Sequence, residues 1–167
     1  MGTEKVMNSF TSPFNSPIEV GLRSLVILNE AFPAQIDLER LVIYDYIVLH
    51  TEDVGGPPSL HPSLPLRTGE LTVRRELVQK GLILMASRGL VIRIPTAEGI
   101  LFIADDTAGG FLSAIESPYV SKLIDRAGWV IENFRTFTDK QIQSRMREFY
   151  NMDTWRFQLH EKLLESQ

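Results

Sequence analysis

At 167 residues, 44% of them hydrophobic and 23% charged, the chain has the length and composition of one soluble globular domain that buries a core without covalent staples. It contains no cysteine, which removes disulfides, thiolate catalysis and thiolate metal sites and points to a reducing compartment. The net charge of −4 counts against strong non-specific nucleic-acid binding, but residues 67–93 set Arg67, Arg74, Arg75, Lys80, Arg88 and Arg93 against only Glu70 and Glu76, a basic segment inside an acidic chain.

Residues 1–15 read as a tail rich in turn formers (Asn8, Ser9, Thr11, Ser12, Pro13), with Phe10 and Phe14 as aromatic anchors for the body or a partner. Met1–Phe10 lacks the unbroken apolar core of a secretory leader. The apolar run Leu41–Leu49 is interrupted by Asp45 and is far shorter than the roughly 20 residues that cross a bilayer. A cytoplasmic protein without membrane contact is expected.

The first helix is announced by Ser16 as N-cap, Pro17 at its first position and Glu19 completing a capping box; Phe32-Pro33 stops it. A second helix starts at Asp37 and reaches about His50. Its many β-branched residues also suit a strand, but Leu38, Leu41, Val42 and Asp45 follow helical spacing better than alternation. Thr51–Pro65, with two glycines and four prolines, reads as a long loop. A third helix, from Thr68 or Gly69 to Arg88, offers Leu71, Val73, Leu77, Val78, Leu82, Leu84 and Met85 as an apolar face and Arg67, Arg74, Arg75 and Lys80 as a basic one, with Gly89 as its stop.

Leu90–Pro95 and Ile100–Asp105 then form the arms of a β-hairpin turning at Thr96–Gly99. A short helix over Thr107–Glu116 follows, and Ser117-Pro118 opens a long one to Phe134. Thr138 and Gln141 form a second capping box, ahead of Ile142, Met146, Phe149 and Tyr150. A final amphipathic segment, Thr154–Leu164, carries Trp155 and Phe157 as candidate partner anchors, with core packing as the plainer reading.

Three helices and a hairpin place the chain in a mainly α, α+β class: a winged helix-turn-helix-like domain over residues 16–134, preceded by the 1–15 tail and followed by a helical extension over 135–167. In that architecture the basic segment falls on the recognition helix and the first strand of the wing. Arg67, Arg74, Arg75, Lys80, Arg88 and Arg93 are then a candidate face for nucleic acid or an acidic partner. The plainer alternative is a solvated helix face.

Catalytic signatures are absent. Gly55-Gly56 and Gly109-Gly110 lack the spacing and the following lysine of a phosphate loop. Ser59-Leu60-His61 has no nucleophile elbow or paired acid. His50, Asp53 and His61 are the one combination resembling a metal set, but nothing in their spacing fixes a geometry; His50 is more simply the C-cap of the second helix, where a partly positive imidazole is favourable. No enzyme, cofactor or metal is expected.

Several stretches carry a family resemblance: Phe14-Asn15-Ser16-Pro17-Ile18-Glu19, Ala31-Phe32-Pro33, Ile36–Leu41, Gly56–Pro62, Gly69-Glu70-Leu71, Arg74-Arg75 and Gly81-Leu82 to Arg88-Gly89-Leu90. Over about residues 14–134 the chain resembles the middle components of bacterial ABC three-component systems, which include Lamassu-type anti-phage and anti-plasmid defence. The resemblance implies a small non-catalytic winged-helix subunit bridging an SMC-like ABC ATPase and an effector, often a nuclease, with DNA reached through the complex. It supplies no catalytic residues to transfer. The alternative from the basic segment is an autonomous winged-helix DNA-binding transcriptional regulator.

Overall fold

The computed structural model describes residues 15–62 and 70–148. The expectations for Phe10, Phe14, Arg67, Trp155 and Phe157, and for the N-terminal tail and the C-terminal segment, lie outside the described residues.

Helix α1 (Pro17–Ala31) begins as expected: the Glu19 backbone N–H donates to Ser16 Oγ at 3.3 Å and Pro17 occupies the first turn. The reciprocal half of the capping box is not made, since Glu19 Oε2 is buried without a hydrogen-bond partner. Strand β1 (Ile36–Asp37) is short because Asp37 also serves the next element. Its Oδ1 accepts from the Arg40 backbone N–H at 2.8 Å, which caps helix α2 (Leu38–Leu49). Every residue of α2 from Leu41 to Leu49 is buried. A helix surrounded on all sides has no polar face to reveal its period, and burial overrides its β-branched composition.

The loop that follows is not structureless. Thr51–Val54 forms a 3-10 turn ending at Gly55 in the left-handed region, and the N–H groups of Leu60 and His61 both donate to Leu49 O. Gly56 must be glycine, because a Cβ there would lie 2.5 Å from the Trp129 ring.

Helix α3 (Glu70–Ser87) ends in a Schellman closure: Leu90 N–H donates to Met85 O and Gly89 N–H to Ala86 O, with Gly89 at φ 72°. Strands β2 (Val91–Thr96) and β3 (Gly99–Ala104) form the hairpin, turning at Ala97-Glu98. The register Val91↔Ala104 to Thr96↔Gly99 joins the arms, while Ile36 and Asp37 pair with Phe102 and Leu101, so the antiparallel sheet runs β1-β3-β2. Helix α4 (Ala108–Ser113) leads to α5 (Pro118–Phe134), capped by Ser117 and buried along Val120, Leu123, Ala127, Val130 and Phe134. Both bonds of the Thr138–Gln141 capping box form, at 2.8 and 3.2 Å. Helical turns over 139–148 return Ile142 and Met146 to the same core. The described residues are thus mainly helical with one small antiparallel sheet.

The inward phase of α3 differs from the expected one. Arg74, Val78, Gly81, Leu82 and Met85, at i, i+4, i+7, i+8 and i+11, point to α1 and α2, whereas Val73 is 54% exposed. Glycine sets how close α1 and α3 approach: a Cβ added at Gly81 would sit 2.5 Å from Gly21 N. Gly81→Ala is therefore expected to cost about 1–3 kcal/mol through overpacking, read as a fall in the urea midpoint. Gly110→Ala, which meets nothing within 4 Å, is expected to leave stability unchanged or raise it by up to about 1 kcal/mol.

Candidate partner interface

Three helices meet at one buried carboxylate. Asp45 on α2 is fully buried and accepts from Arg23 of α1, whose Nε lies at 2.8 Å and Nη2 at 3.1 Å, and from Arg74 Nη1 of α3. Burial alone pushes the Asp45 carboxyl up; the charges of Arg23 and Arg74 and their hydrogen bonds reverse this and hold it below the ordinary carboxylate value. The Arg74 guanidinium also lies 5.4 Å over the Tyr46 ring. Sequence reading treats Asp45 as a break in an apolar run and a position in the second helix's spacing, and assigns it no partner. The signal that finds it is a single acid within the apolar run Leu41–Leu49, matched by an arginine within the apolar stretch of α1 and one on the inward stripe of α3.

Beside this cluster the Tyr46, His50, His61 and Tyr119 side chains pack in series. His50 and His61 meet edge to face at 6.4 Å. Asp53 does not join them as a third ligand: its Oδ2 accepts from the Tyr46 hydroxyl at 2.6 Å, and His61 Nε2 lies 2.9 Å from the Tyr119 hydroxyl. Among the described residues no three His, Asp or Glu side chains gather closely enough to hold a metal ion. His50 does end α2, but not with the positive charge expected of a C-cap. Burial, with the charges of Arg74 and His61 adding to it, lowers its pKa to about 4 against the raising effect of Asp53.

The proposed basic face divides. Arg74 is an internal cation, because the inward phase of α3 carries it to Asp45. Arg75 Nε donates to Glu39 Oε1 at 2.7 Å, in an exposed pair worth about 0–1 kcal/mol. Lys80, Arg88 and Arg93 remain exposed. The outward side of α3 also presents large apolar side chains to solvent: Val73 is 54% and Ile83 53% exposed. Elsewhere Ile92 of the hairpin and Phe111 of α4 are also exposed, both above 40%. A surface of aliphatic residues with a few cations between them suits a protein partner better than phosphate, which is read by clustered Lys and Arg.

The model of the family described as ABC-three component (ABC-3C) system Middle Component 2 matches residues 13–156. The chain belongs to this family. No curated protein and no solved structure matches it. A middle component is one part of a system with several components, so partner subunits are implied, and the exposed apolar surface of this middle component is where to seek them.

The buried cluster can be tested by removing its parts singly and together. Asp45→Ala strands two guanidinium groups in the interior and is expected to cost about 3–5 kcal/mol, measured by urea denaturation. Replacing all three members together with Met, Leu and Met removes the charges as a set and recovers most of that loss. A second prediction concerns pH. A histidine whose folded pKa is lowered contributes stability that is complete above its unfolded value and is lost as pH falls toward the folded one. Stability measured by urea denaturation is therefore expected to fall between about pH 6.5 and pH 5, with a slope of up to ~1.4 kcal/mol per pH unit from His50; His50→Gln removes that share and leaves the part due to His61, whose pKa burial also lowers.

Proposed function

We propose that this middle component is a non-catalytic adaptor of winged-helix architecture that bridges an SMC-like ABC ATPase and an effector subunit, as in Lamassu-type defence against phages and plasmids. The family match makes the chain one component among several. Support for the architecture comes from the helix-strand-helix-helix-hairpin order and from the short strand β1 lying against β3 of the hairpin. The observation that carries the binding role is the outward side of α3. There a DNA reader would place a dense row of cations, whereas this helix exposes Val73 and Ile83 beside Lys80.

DNA contact within the assembled complex is the second reading, favoured by the exposed Lys80, Arg88 and Arg93. The two readings separate by substitution. Val73→Asp combined with Ile83→Asp is expected to weaken co-purification with the ATPase or effector encoded beside this chain, without changing its thermal midpoint. Lys80→Glu, Arg88→Glu and Arg93→Glu together are expected to leave that co-purification largely intact while reducing any salt-dependent DNA affinity. Recovery of this chain alone, free of both neighbouring subunits when all are co-expressed, would remove the adaptor reading.

A further inference from the structure

A second apolar surface lies away from α3. The end of α1, residues 32–37, the first turns of α2 and the end of α5 enclose an open groove of about 930 Å³. Its apolar lining includes Ile36, Leu101 and Ile131, and at its mouth Phe32 is 49% exposed. From Leu101 the apolar surface continues onto the outward face of the hairpin: the register stands Ile94 beside Leu101 and Ile92 beside Ile103 on that face. Along the groove β1 is an edge strand, hydrogen-bonded to β3 alone among the described residues.

The charges at the groove are unevenly committed. Arg40 is spent within the wall, donating to Asp139 through Nε and to Phe137 O at 2.6 Å. Arg135 and Lys140, at the end of α5 and just beyond it, are exposed and form no ion pair with any other described residue. Of the acids in the lining, Asp139 is paired with Arg40 and Asp37 is spent capping α2. Glu30 forms no ion pair among the described residues; its carboxylate lies against α5 at Gly128, and burial pushes its pKa above the ordinary value. A groove with an apolar floor and two cations that pair with no described residue, its acids Asp37 and Asp139 being engaged within the wall, is complementary to an apolar segment bearing carboxylates.

We propose that this groove binds an acidic, apolar peptide segment of a partner subunit, with an apolar side chain packed between Phe32 and Leu101 and a carboxylate held by Arg135 and Lys140. This rests on the adaptor reading but names a surface that reading does not use.

The test takes the full chain, co-expressed with the ATPase and effector subunits of its own operon, and places a photo-crosslinking phenylalanine analogue at position 32. The expected crosslink falls on a partner segment with acidic residues flanking apolar ones. Phe32→Asp is expected to weaken capture of that partner by roughly tenfold. Arg135→Glu with Lys140→Glu is expected to weaken it by roughly three- to tenfold, with recovery when the partner's acids are changed to lysine. All three positions are exposed, and an unchanged circular dichroism melt confirms that the variants fold. Capture unaffected by these variants, a crosslink to a basic segment, or a crosslink to a second copy of this chain overturns the groove assignment and leaves the adaptor reading standing. Failure of both subunits to bind overturns both.

Discussion

A single carboxylate holds the helical body in register. Asp45 cannot be buried without compensation, because desolvating one charge costs several kcal/mol, and both compensating arginines come from other helices. Arg23 fixes the rotation of α1 and Arg74 that of α3 about the same point on α2. Each helix can slide or roll only by leaving a charge unpaired in the interior. The glycine crossing of α1 and α3 acts together with this constraint. With Gly21 and Gly81 in near backbone contact, α3 lies close enough to α1 for Arg74 to reach an acid that Arg23 already holds. Apolar packing of comparable volume would supply as much stability; what the ionic cluster adds is a specified arrangement.

That arrangement determines what faces solvent. Turning Arg74 inward rotates Val73 outward and leaves Ile83 exposed one face away from the Val78–Leu82–Met85 stripe. The apolar residues on the outside of α3 are thus the geometric consequence of a charged residue on the inside. The same holds for the sheet. Asp37 ends β1 after two residues because it must cap α2, so β1 covers only Leu101 and Phe102 of β3. Beyond the outward pair Ile92–Ile103 of the hairpin no strand follows on that side, among the described residues.

Much of this was legible from the chain alone where a local rule sufficed. Ser16-Pro17, Ser117-Pro118 and Thr138–Gln141 are caps whose chemistry is complete within four residues, and each forms. The hairpin and the Gly89 stop follow equally from local turn chemistry. The phase of α3 was not legible, because Val73 and Arg74 are adjacent and hydrophobicity assigns the wrong one to the core; only the acid on α2, 29 residues earlier, reverses the choice. The His50 charge state failed for a related reason. A helix C-terminus favours an imidazolium in water, but Tyr46 and His61 close over the ring and make desolvation the larger effect. The groove was invisible because its wall joins Phe32, Leu101 and Ile131, which no sequence period connects.

Under the proposed bridging role, the position of the two surfaces has a mechanical meaning. One is built on α3; the other on the ends of α1 and α5 with the start of α2, and α3 contributes nothing to its lining. Both stand on one continuous apolar core that reaches from Val20 to Met146. A linker joining two partners through a flexible chain would transmit proximity and little else. Two surfaces fixed to the same core, with helix rotation set by the Arg23–Asp45–Arg74 cluster, transmit orientation as well: a partner seated on α3 is held at a defined angle to one seated in the groove. A change of state in an ATPase then becomes a displacement of the effector without any hinge being required between the described helices that carry the two surfaces. This is why the ionic cluster, rather than an equally stable apolar one, is suited to the proposed bridging role.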